Sequence, residues 1–163
     1  MRKWLTDPAS LTSKLTVRCK QFRVQLLRQS SGQGLDGECE MIRLPRRARV
    51  WEREVLLRCD GHAVVFARTV VSRAAALADW PYFQSLGEKS LGATLFADPC
   101  VCRGAFQFAL LKPSHPVRRE IYNVLGPGAI EPPFFARRSL FGRNRGWLLV
   151  TEVFLPPIMQ LSE

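Results

Sequence analysis

Glu152 is a carboxylate inside the most apolar run of the chain, residues 147–155. If this run is a strand, alternation places Glu152 on the same face as Leu148, Val150 and Phe154. An ionised group left unpaired in such an apolar layer costs several kcal/mol. We therefore expect Glu152 to be neutral, matched to a cation, or turned towards a ligand cavity.

A hairpin is predicted over residues 51–71, with an Asp-Gly turn at residues 60–61. Asp-Gly between two apolar runs is a strong signal for a two-residue turn. This turn places Cys59 opposite His62 and thereby sets which side chains share each face of the hairpin. An uninterrupted register puts Arg68 on the more apolar face.

Arg68 is the cation that the sequence offers to Glu152. The same register places Arg53 directly across from Arg68, and like charges facing each other on a sheet are destabilising unless an anion lies beside them. Glu152 or an anionic ligand would supply that negative charge. For Arg53 two interpretations stay open, an ion pair with Glu152 or Glu54 and a contact to an anionic ligand.

Length and composition predict one soluble domain over residues 1–163. With 47% hydrophobic residues, the chain can build one sizeable core. No apolar stretch reaches the ~20 residues that span a bilayer. The start of the chain also lacks the apolar segment of a secretory signal, so a cytoplasmic protein is expected.

The cysteines and histidines argue against a disulfide framework and against a metal site. The five cysteines are odd in number and form no Cys-x-x-Cys pair, and the two histidines are far apart. Cys100 and Cys102 are interpreted as ordinary thiols. A redox or metal pair is the alternative, but the sequence shows no third ligand.

The net charge of +10, from 24 basic and 14 acidic residues, suggests attraction to something acidic. The basic stretches at 43–49 and 137–138 could follow phosphates, but they are scattered among apolar strands. Solvated arginine-rich faces are the simpler interpretation. Electrostatic steering of a small dianion is a third, and nucleic acid is not expected as a partner.

Elsewhere the sequence predicts strands with short helices near their ends. Alternating residues predict a strand at 22–26, followed by a loop at 30–34. Further strands are expected at 102–111, 136–142 and 147–155, the last after a turn at 144–146. The segment 112–133, rich in proline and glycine, is interpreted as a mobile lid or a long surface loop that contains His115. His62, beside the first turn, is expected to be exposed.

Two serines mark predicted helix starts, Ser10 ahead of Leu11 and Ser90 ahead of Leu91. The first amides of a helix are unpaired and carry partial positive charge, so those near Leu11 and Leu91 could receive a carboxylate. The alternative is that both serines only cap helices. The residues alone leave both interpretations open.

Six segments of the chain, taken in order, resemble the bacterial chorismate pyruvate-lyase family. They are Trp4–Thr12, Trp51–Leu57, Ala67–Val71, Leu86–Gly92, Ala136–Ser139 and Thr151–Pro156. The resemblance spans almost the whole chain and includes both unusual charged residues, Arg68 and Glu152.

The resemblance implies an α+β fold, a single domain in which an antiparallel sheet with flanking short helices holds an aromatic acid. The ligand pocket would be internal and covered by helical flaps. The implied enzyme eliminates pyruvate from chorismate to give 4-hydroxybenzoate, the first committed step towards ubiquinone. It needs no metal or organic cofactor, and a cytoplasmic monomer is expected.

Carried over by motif, Arg68 and Glu152 would be the catalytic residues. Arg68 would bind the ring carboxylate, because the guanidinium fork can donate two parallel hydrogen bonds to it. The backbone at Leu11 and Leu91 would help hold substrate or product. Glu152 would contact the far oxygen, either as a general base or as a group that orients the C4 hydroxyl.

Two other functions compete with this one. The same fold resembles the effector-binding domain of a class of bacterial transcription regulators, which suggests a non-catalytic sensor of aromatic acids. Only about ten residues precede the helix at Ser10, too few for a DNA-binding domain, so a sensor would need a partner chain. Nucleic-acid binding by the basic surface predicts salt-sensitive affinity and indifference to Arg68.

Overall fold

The structure, a computed structural model, describes residues 1–161. These residues fold around one antiparallel sheet of seven strands, in the order β1-β2-β3-β7-β6-β4, with β5 also paired to β6. The strands are β1 (Phe22–Gln33), β2 (Arg49–Cys59), β3 (His62–Val71), β4 (Val101–Arg103), β5 (Gln107–Leu110), β6 (Phe135–Arg143) and β7 (Gly146–Phe154). The predicted α+β fold is confirmed, and residues 162 and 163 of the predicted domain lie outside the described part.

Short helices flank this sheet. Between residues 1 and 161 they are α1 (Arg2–Leu5), α2 (Leu11–Thr16), α3 (Glu38–Met41), α4 (Arg73–Ala78), α5 (Leu91–Ala97) and α6 (Pro116–Leu125), with 3₁₀ turns at Phe83–Ser85 and Pro156–Gln160. Ser10 and Ser90 cap α2 and α5 as predicted, through hydrogen bonds from the amides of Ser13 and Ala93. No helix in this part of the chain has the length and apolar composition needed to cross a membrane.

Strand β1 runs further than the sequence predicted. Residues 30–33, interpreted as the start of a loop, pair with residues 49–52 of β2. Gly32 permits this pairing, because a Cβ there would lie 2.6 Å from the carboxylate carbon of Glu52. Close approach to a buried side chain, rather than a turn, explains this glycine.

The β2–β3 hairpin turns where predicted, at Asp60 and Gly61. Both residues have positive φ, 49° and 83°, as a two-residue turn of this type requires. Cys59 pairs with His62 as predicted, and His62 is exposed. The register then shifts at a bulge in β3, because Leu57 pairs with Val65 and Arg58 with Ala63, which leaves Val64 as the extra residue.

The bulge decides which arginine faces which side of the sheet. Beyond it Arg53 pairs with Thr69 and Glu54 pairs with Arg68. A shift of one residue moves every side chain of a strand to the opposite face relative to its partner. The prediction that Arg53 and Arg68 face each other is therefore wrong, and the two arginines lie on opposite faces.

Apolar side chains pack on both faces of the sheet. Beneath α1 and α2 the buried cluster includes Leu15, Val24, Val55, Leu57 and Phe154. Beside α6, on the other face, it includes Leu56, Phe66, Ile121, Phe134 and Val153. Alternate residues of β2 thus enter different cores, as the two-residue period of a strand requires.

The segment 112–133 contains a helix, α6, that the sequence interpretation missed. Val117 and Ile121 of this helix are buried against the sheet. His115, predicted as a loop residue, caps the helix, because its Nδ1 accepts a hydrogen bond from the amide of Val117 at 3.2 Å. Much of this segment is therefore packed structure rather than an open loop.

Candidate active site

A cavity lies between the sheet and the helices α2 and α5. It comprises about 630 Å³ of space between atoms, part of it open to solvent. Its lining is largely apolar, with a few charged groups, as is usual for sites that bind small molecules. The charged side chains that line it are Arg53, Arg103, Arg137 and Glu152.

The covering helices α2 and α5 meet above this cavity. The Thr12 and Ser90 hydroxyl oxygens are 2.8 Å apart, which joins the start of one helix to that of the other. Leu11 and Leu91, the first residues of these helices, are buried and line the cavity. The structure therefore brings both predicted leucines to one site, and the first-turn amides of a helix have no intrahelical acceptor.

Arg53 is a buried cation that lines the cavity floor. Its side chain is among the most buried of the chain, and Nη2 donates to the carbonyl oxygens of Gly87 and Lys89 at 2.9 and 2.8 Å. Nε is buried without a hydrogen-bond partner in the described residues. Burial lowers the pKa of Arg53 to about 10, so the group is still charged at neutral pH.

Within residues 1–161 no carboxylate forms an ion pair with Arg53. A buried cation without a counter-ion is costly, unless the missing charge belongs to a ligand. The sequence left open whether Arg53 contacts a ligand, and it favoured Arg68 for that role. One feature of the sequence did indicate that Arg53 lacks a neighbouring acid. Arg53 lies between Glu52 and Glu54, and strand alternation puts both acids on one face and Arg53 on the other.

Glu152 is both matched to a cation and part of the cavity lining, two of the three outcomes expected from sequence. Its partner is Arg137 on β6, whose Nε donates to Glu152 Oε2 at 2.5 Å. Arg137 is itself buried, and its Nη1 donates to the backbone carbonyls of Trp4, Leu5 and Asp7. The predicted partner, Arg68, was therefore wrong.

Arg68 lies on the opposite face of the sheet, in a buried cluster with three glutamates. Its Nε is 2.8 Å from Glu38, and its Nη1 is 2.8 Å from Glu52 and 2.7 Å from Glu54. Burial alone would lower the pKa of Arg68, but the hydrogen bonds and charges of these carboxylates outweigh it and raise the pKa. The expectation that Arg68 shares a site with Glu152 is wrong, because the bulge in β3 reverses the face of Arg68.

Several solved structures have a similar fold. PhnF from Mycobacterium smegmatis superposes with a TM-score of 0.62 at 16% identity, over 93% of this chain and 65% of that one. The C-terminal domain of the histidine utilization repressor from Pseudomonas syringae pv. tomato gives 0.60 at 9% identity, over 88% and 97%. At such identities the likeness concerns the fold alone.

Relatives at higher identity carry an enzyme name. Proteins named probable chorismate pyruvate-lyase from Cupriavidus pinatubonensis and Ralstonia nicotianae are 43% and 45% identical to this chain, each over 159 residues. These alignments cover 98% and 96% of this chain, and 82% and 81% of the relatives. The family described as chorismate lyase matches residues 1–162. This chain belongs to the chorismate lyase family.

Proposed function

We propose that this protein eliminates pyruvate from chorismate and releases 4-hydroxybenzoate. Family membership supports the reaction, and one structural observation carries the assignment to this cavity. The buried guanidinium of Arg53, which has no carboxylate partner in the described part of the chain, shares the cavity with Glu152. Chorismate has a carboxylate at one end of its ring and a hydroxyl at the other, which these two groups suit.

The elimination depends more on how the substrate is positioned than on a strongly acidic or basic group. The C3–O bond breaks with its electron pair going to the enolpyruvyl oxygen, and the hydrogen on C4 leaves as a proton that completes pyruvate. The remaining ring becomes aromatic, which drives the reaction downhill. Fixed donors and charges in a water-poor cavity lower such a barrier by orienting the substrate and stabilising the charge that develops. We expect no metal or organic cofactor.

Arg53 takes the role that sequence reasoning gave to Arg68. Its planar fork suits the ring carboxylate, which is present in both substrate and product. The amides at the starts of α2 and α5, next to Leu11 and Leu91, would donate further hydrogen bonds to the same ligand.

Glu152 is proposed to accept a hydrogen bond from the C4 hydroxyl. Its Oε2 is bonded to Arg137, while Oε1 accepts no hydrogen bond from residues 1–161 and is available to a ligand. Because Arg137 is held by three backbone carbonyls, the carboxylate has a fixed position. Orientation of the hydroxyl fits this geometry, and general-base catalysis by Glu152 is the alternative.

Glu152→Gln separates these two roles. If Glu152 orients the ligand, the variant is expected to lose about 10-fold to 100-fold in both 4-hydroxybenzoate affinity and kcat/KM for chorismate, since a charged acceptor is lost. Titration calorimetry and steady-state kinetics measure the two quantities. Glu120→Gln, which removes an acid from α6 on the other side of the sheet, is the matched control. A large loss of kcat with unchanged product affinity would favour the general base.

Incubation of the purified, EDTA-treated protein with chorismate tests the reaction itself. Equimolar 4-hydroxybenzoate and pyruvate, formed well above the spontaneous rate, are the expected result. The fold shared with regulator domains favours one rival, a non-catalytic sensor. Background rates combined with tight 4-hydroxybenzoate binding would support that sensor and contradict the enzyme.

The remaining expectations concern the setting of the reaction. The net charge of +10 suits electrostatic attraction of a dianionic substrate better than a nucleic-acid surface, given the scattered basic residues. The working unit is proposed to be a cytoplasmic monomer. Analytical ultracentrifugation with and without 4-hydroxybenzoate tests the monomer.

A further inference from the structure

We propose that Arg103 binds the enolpyruvyl carboxylate of chorismate and so distinguishes the dianionic substrate from the monoanionic product. This inference rests on the proposed function and deepens it. Arg103 would be the residue that recognises the enolpyruvyl group, which leaves as pyruvate. Three observations carry it: how Arg103 is held, which charges surround it, and where chorismate would place its second carboxylate.

Arg103, on β4, is a half-buried cation that lines the same cavity as Arg53. Its guanidinium lies over the Phe106 ring, 4.4 Å from the centroid, and 5.4 Å from that of Phe96. Nη2 donates to the backbone carbonyl of Pro8 at 2.7 Å. The two aromatic rings and one neutral acceptor thus fix the orientation of the guanidinium without neutralising its charge.

The acids near Arg103 already have cations of their own. Glu152 is bonded to Arg137, and Asp7 is bonded to Lys14 at 2.6 Å. In the described residues Arg103 itself forms no ion pair. Burial and then the charge of Arg137 lower the pKa of Arg103, as expected for a cation with too little negative charge around it. The positive charge of Arg103 is therefore not balanced by a carboxylate of the described residues, and one more anion would balance it.

The cavity thus contains two arginines without a carboxylate partner in residues 1–161, Arg53 and Arg103. Chorismate carries two carboxylates, whereas 4-hydroxybenzoate carries one. The two arginines could each pair with one carboxylate of chorismate, whereas 4-hydroxybenzoate has a carboxylate for only one of them. Arg53, the more buried, suits the ring carboxylate that survives the reaction.

The covalent structure of chorismate places the second carboxylate near Glu152. The C4 hydroxyl lies across the ring from the ring carboxylate, and the enolpyruvyl ether is on the adjacent C3. With the carboxylate on Arg53 and the hydroxyl on Glu152, the enolpyruvyl group must lie at the Glu152 end. Arg103 is at that end, because it shares the Phe106 ring with Arg137, whose guanidinium is 4.5 Å from the ring centroid and bonds Glu152.

This placement has a consequence for the chemistry. When the C3–O bond breaks, negative charge grows on the enolpyruvyl oxygen beside its own carboxylate. A guanidinium at that carboxylate binds the substrate and also stabilises the departing enolate. After cleavage the aromatic product no longer reaches Arg103, so the contact contributes to substrate binding and turnover but not to product affinity.

Arg103→Gln tests the inference against a purely structural role. We expect kcat/KM for chorismate to fall about 30-fold to 100-fold, the usual effect of losing a charged hydrogen bond. The dissociation constant for 4-hydroxybenzoate is expected to stay within about threefold. Arg103→Lys, which keeps the charge, should recover part of the loss. Arg138→Gln is the matched control, because it removes the same charge from β6 at a side chain bonded to Gln107.

The outcomes are distinguishable. Unchanged kcat/KM in Arg103→Gln, with wild-type turnover intact, would overturn the inference and leave the proposed function standing. Equal losses for chorismate and 4-hydroxybenzoate would also overturn it, because they would mean that Arg103 only anchors the chain at Pro8. No turnover by the wild-type protein would overturn the function and the inference together.

Discussion

Arg53→Gln is expected to weaken 4-hydroxybenzoate binding at least about 100-fold and to lower kcat/KM for chorismate by about 1000-fold. The variant removes the buried guanidinium that has no carboxylate partner within residues 1–161, and with it the proposed contact to the ring carboxylate. Titration calorimetry and steady-state kinetics measure the two effects. Both ligands should suffer, because both retain that carboxylate.

The stability of the same variant should move differently from its activity. Because Arg53 Nη2 also donates to the carbonyl oxygens of Gly87 and Lys89, a modest fall in the Tm of the ligand-free variant is expected, much smaller in free energy than the loss of ligand binding. In the wild type, 4-hydroxybenzoate should raise Tm, and this increase should vanish in the variant. Arg49→Gln, an exposed arginine at the start of the same strand, is the control. Product affinity within threefold of wild type in Arg53→Gln would contradict the assignment.

Arg68→Met is expected to destabilise the fold by about 3–5 kcal/mol, the second large effect. Removal of this guanidinium leaves three buried carboxylates, on Glu38, Glu52 and Glu54, without the cation that they share. Urea unfolding measures the loss of free energy. The molecules that remain folded should still bind 4-hydroxybenzoate, because Arg68 lies on the face opposite the cavity.

A matched control separates the loss of this buried cation from the loss of any arginine beside the same glutamates. Arg28→Met removes a half-exposed cation from the same cluster and should cost much less. Wild-type stability with lost product binding would instead restore the role predicted from sequence.

Local signals in the sequence were enough for most of the fold. The Asp-Gly turn, the capping serines of α2 and α5 and the alternation in β7 each depend on near neighbours in the chain. Helix α6 was missed because its segment is rich in proline and glycine. Even so, Pro116 at the first helical position and His115 as its cap were usable signals.

The choice between two arginines could not be made from local pattern. Arg53 and Arg68 exchange roles according to one bulge in β3, and a bulge depends on packing across the sheet. The partner of Glu152 could have been found. Counting back from the turn at residues 144–145 places Arg137 directly opposite Glu152, as the structure shows.

The two faces of β2 have different roles. Glu52 and Glu54 both form ion pairs with Arg68, whereas Arg53, between them in sequence, has no carboxylate partner in the described part of the chain. One face thus contributes to the stability of the strands, while the other keeps a charge for a ligand. The same short sequence therefore contains both a structural cluster and a binding group.

A crystal structure of the protein with bound 4-hydroxybenzoate tests the central claim most directly. We predict the ligand in the cavity beneath α2 and α5, its carboxylate bonded to the guanidinium of Arg53 and its hydroxyl to Glu152, with Arg68 still among its glutamates. A carboxylate bonded to Arg68, or a ligand outside this cavity with Arg53 still unpaired, would contradict the account.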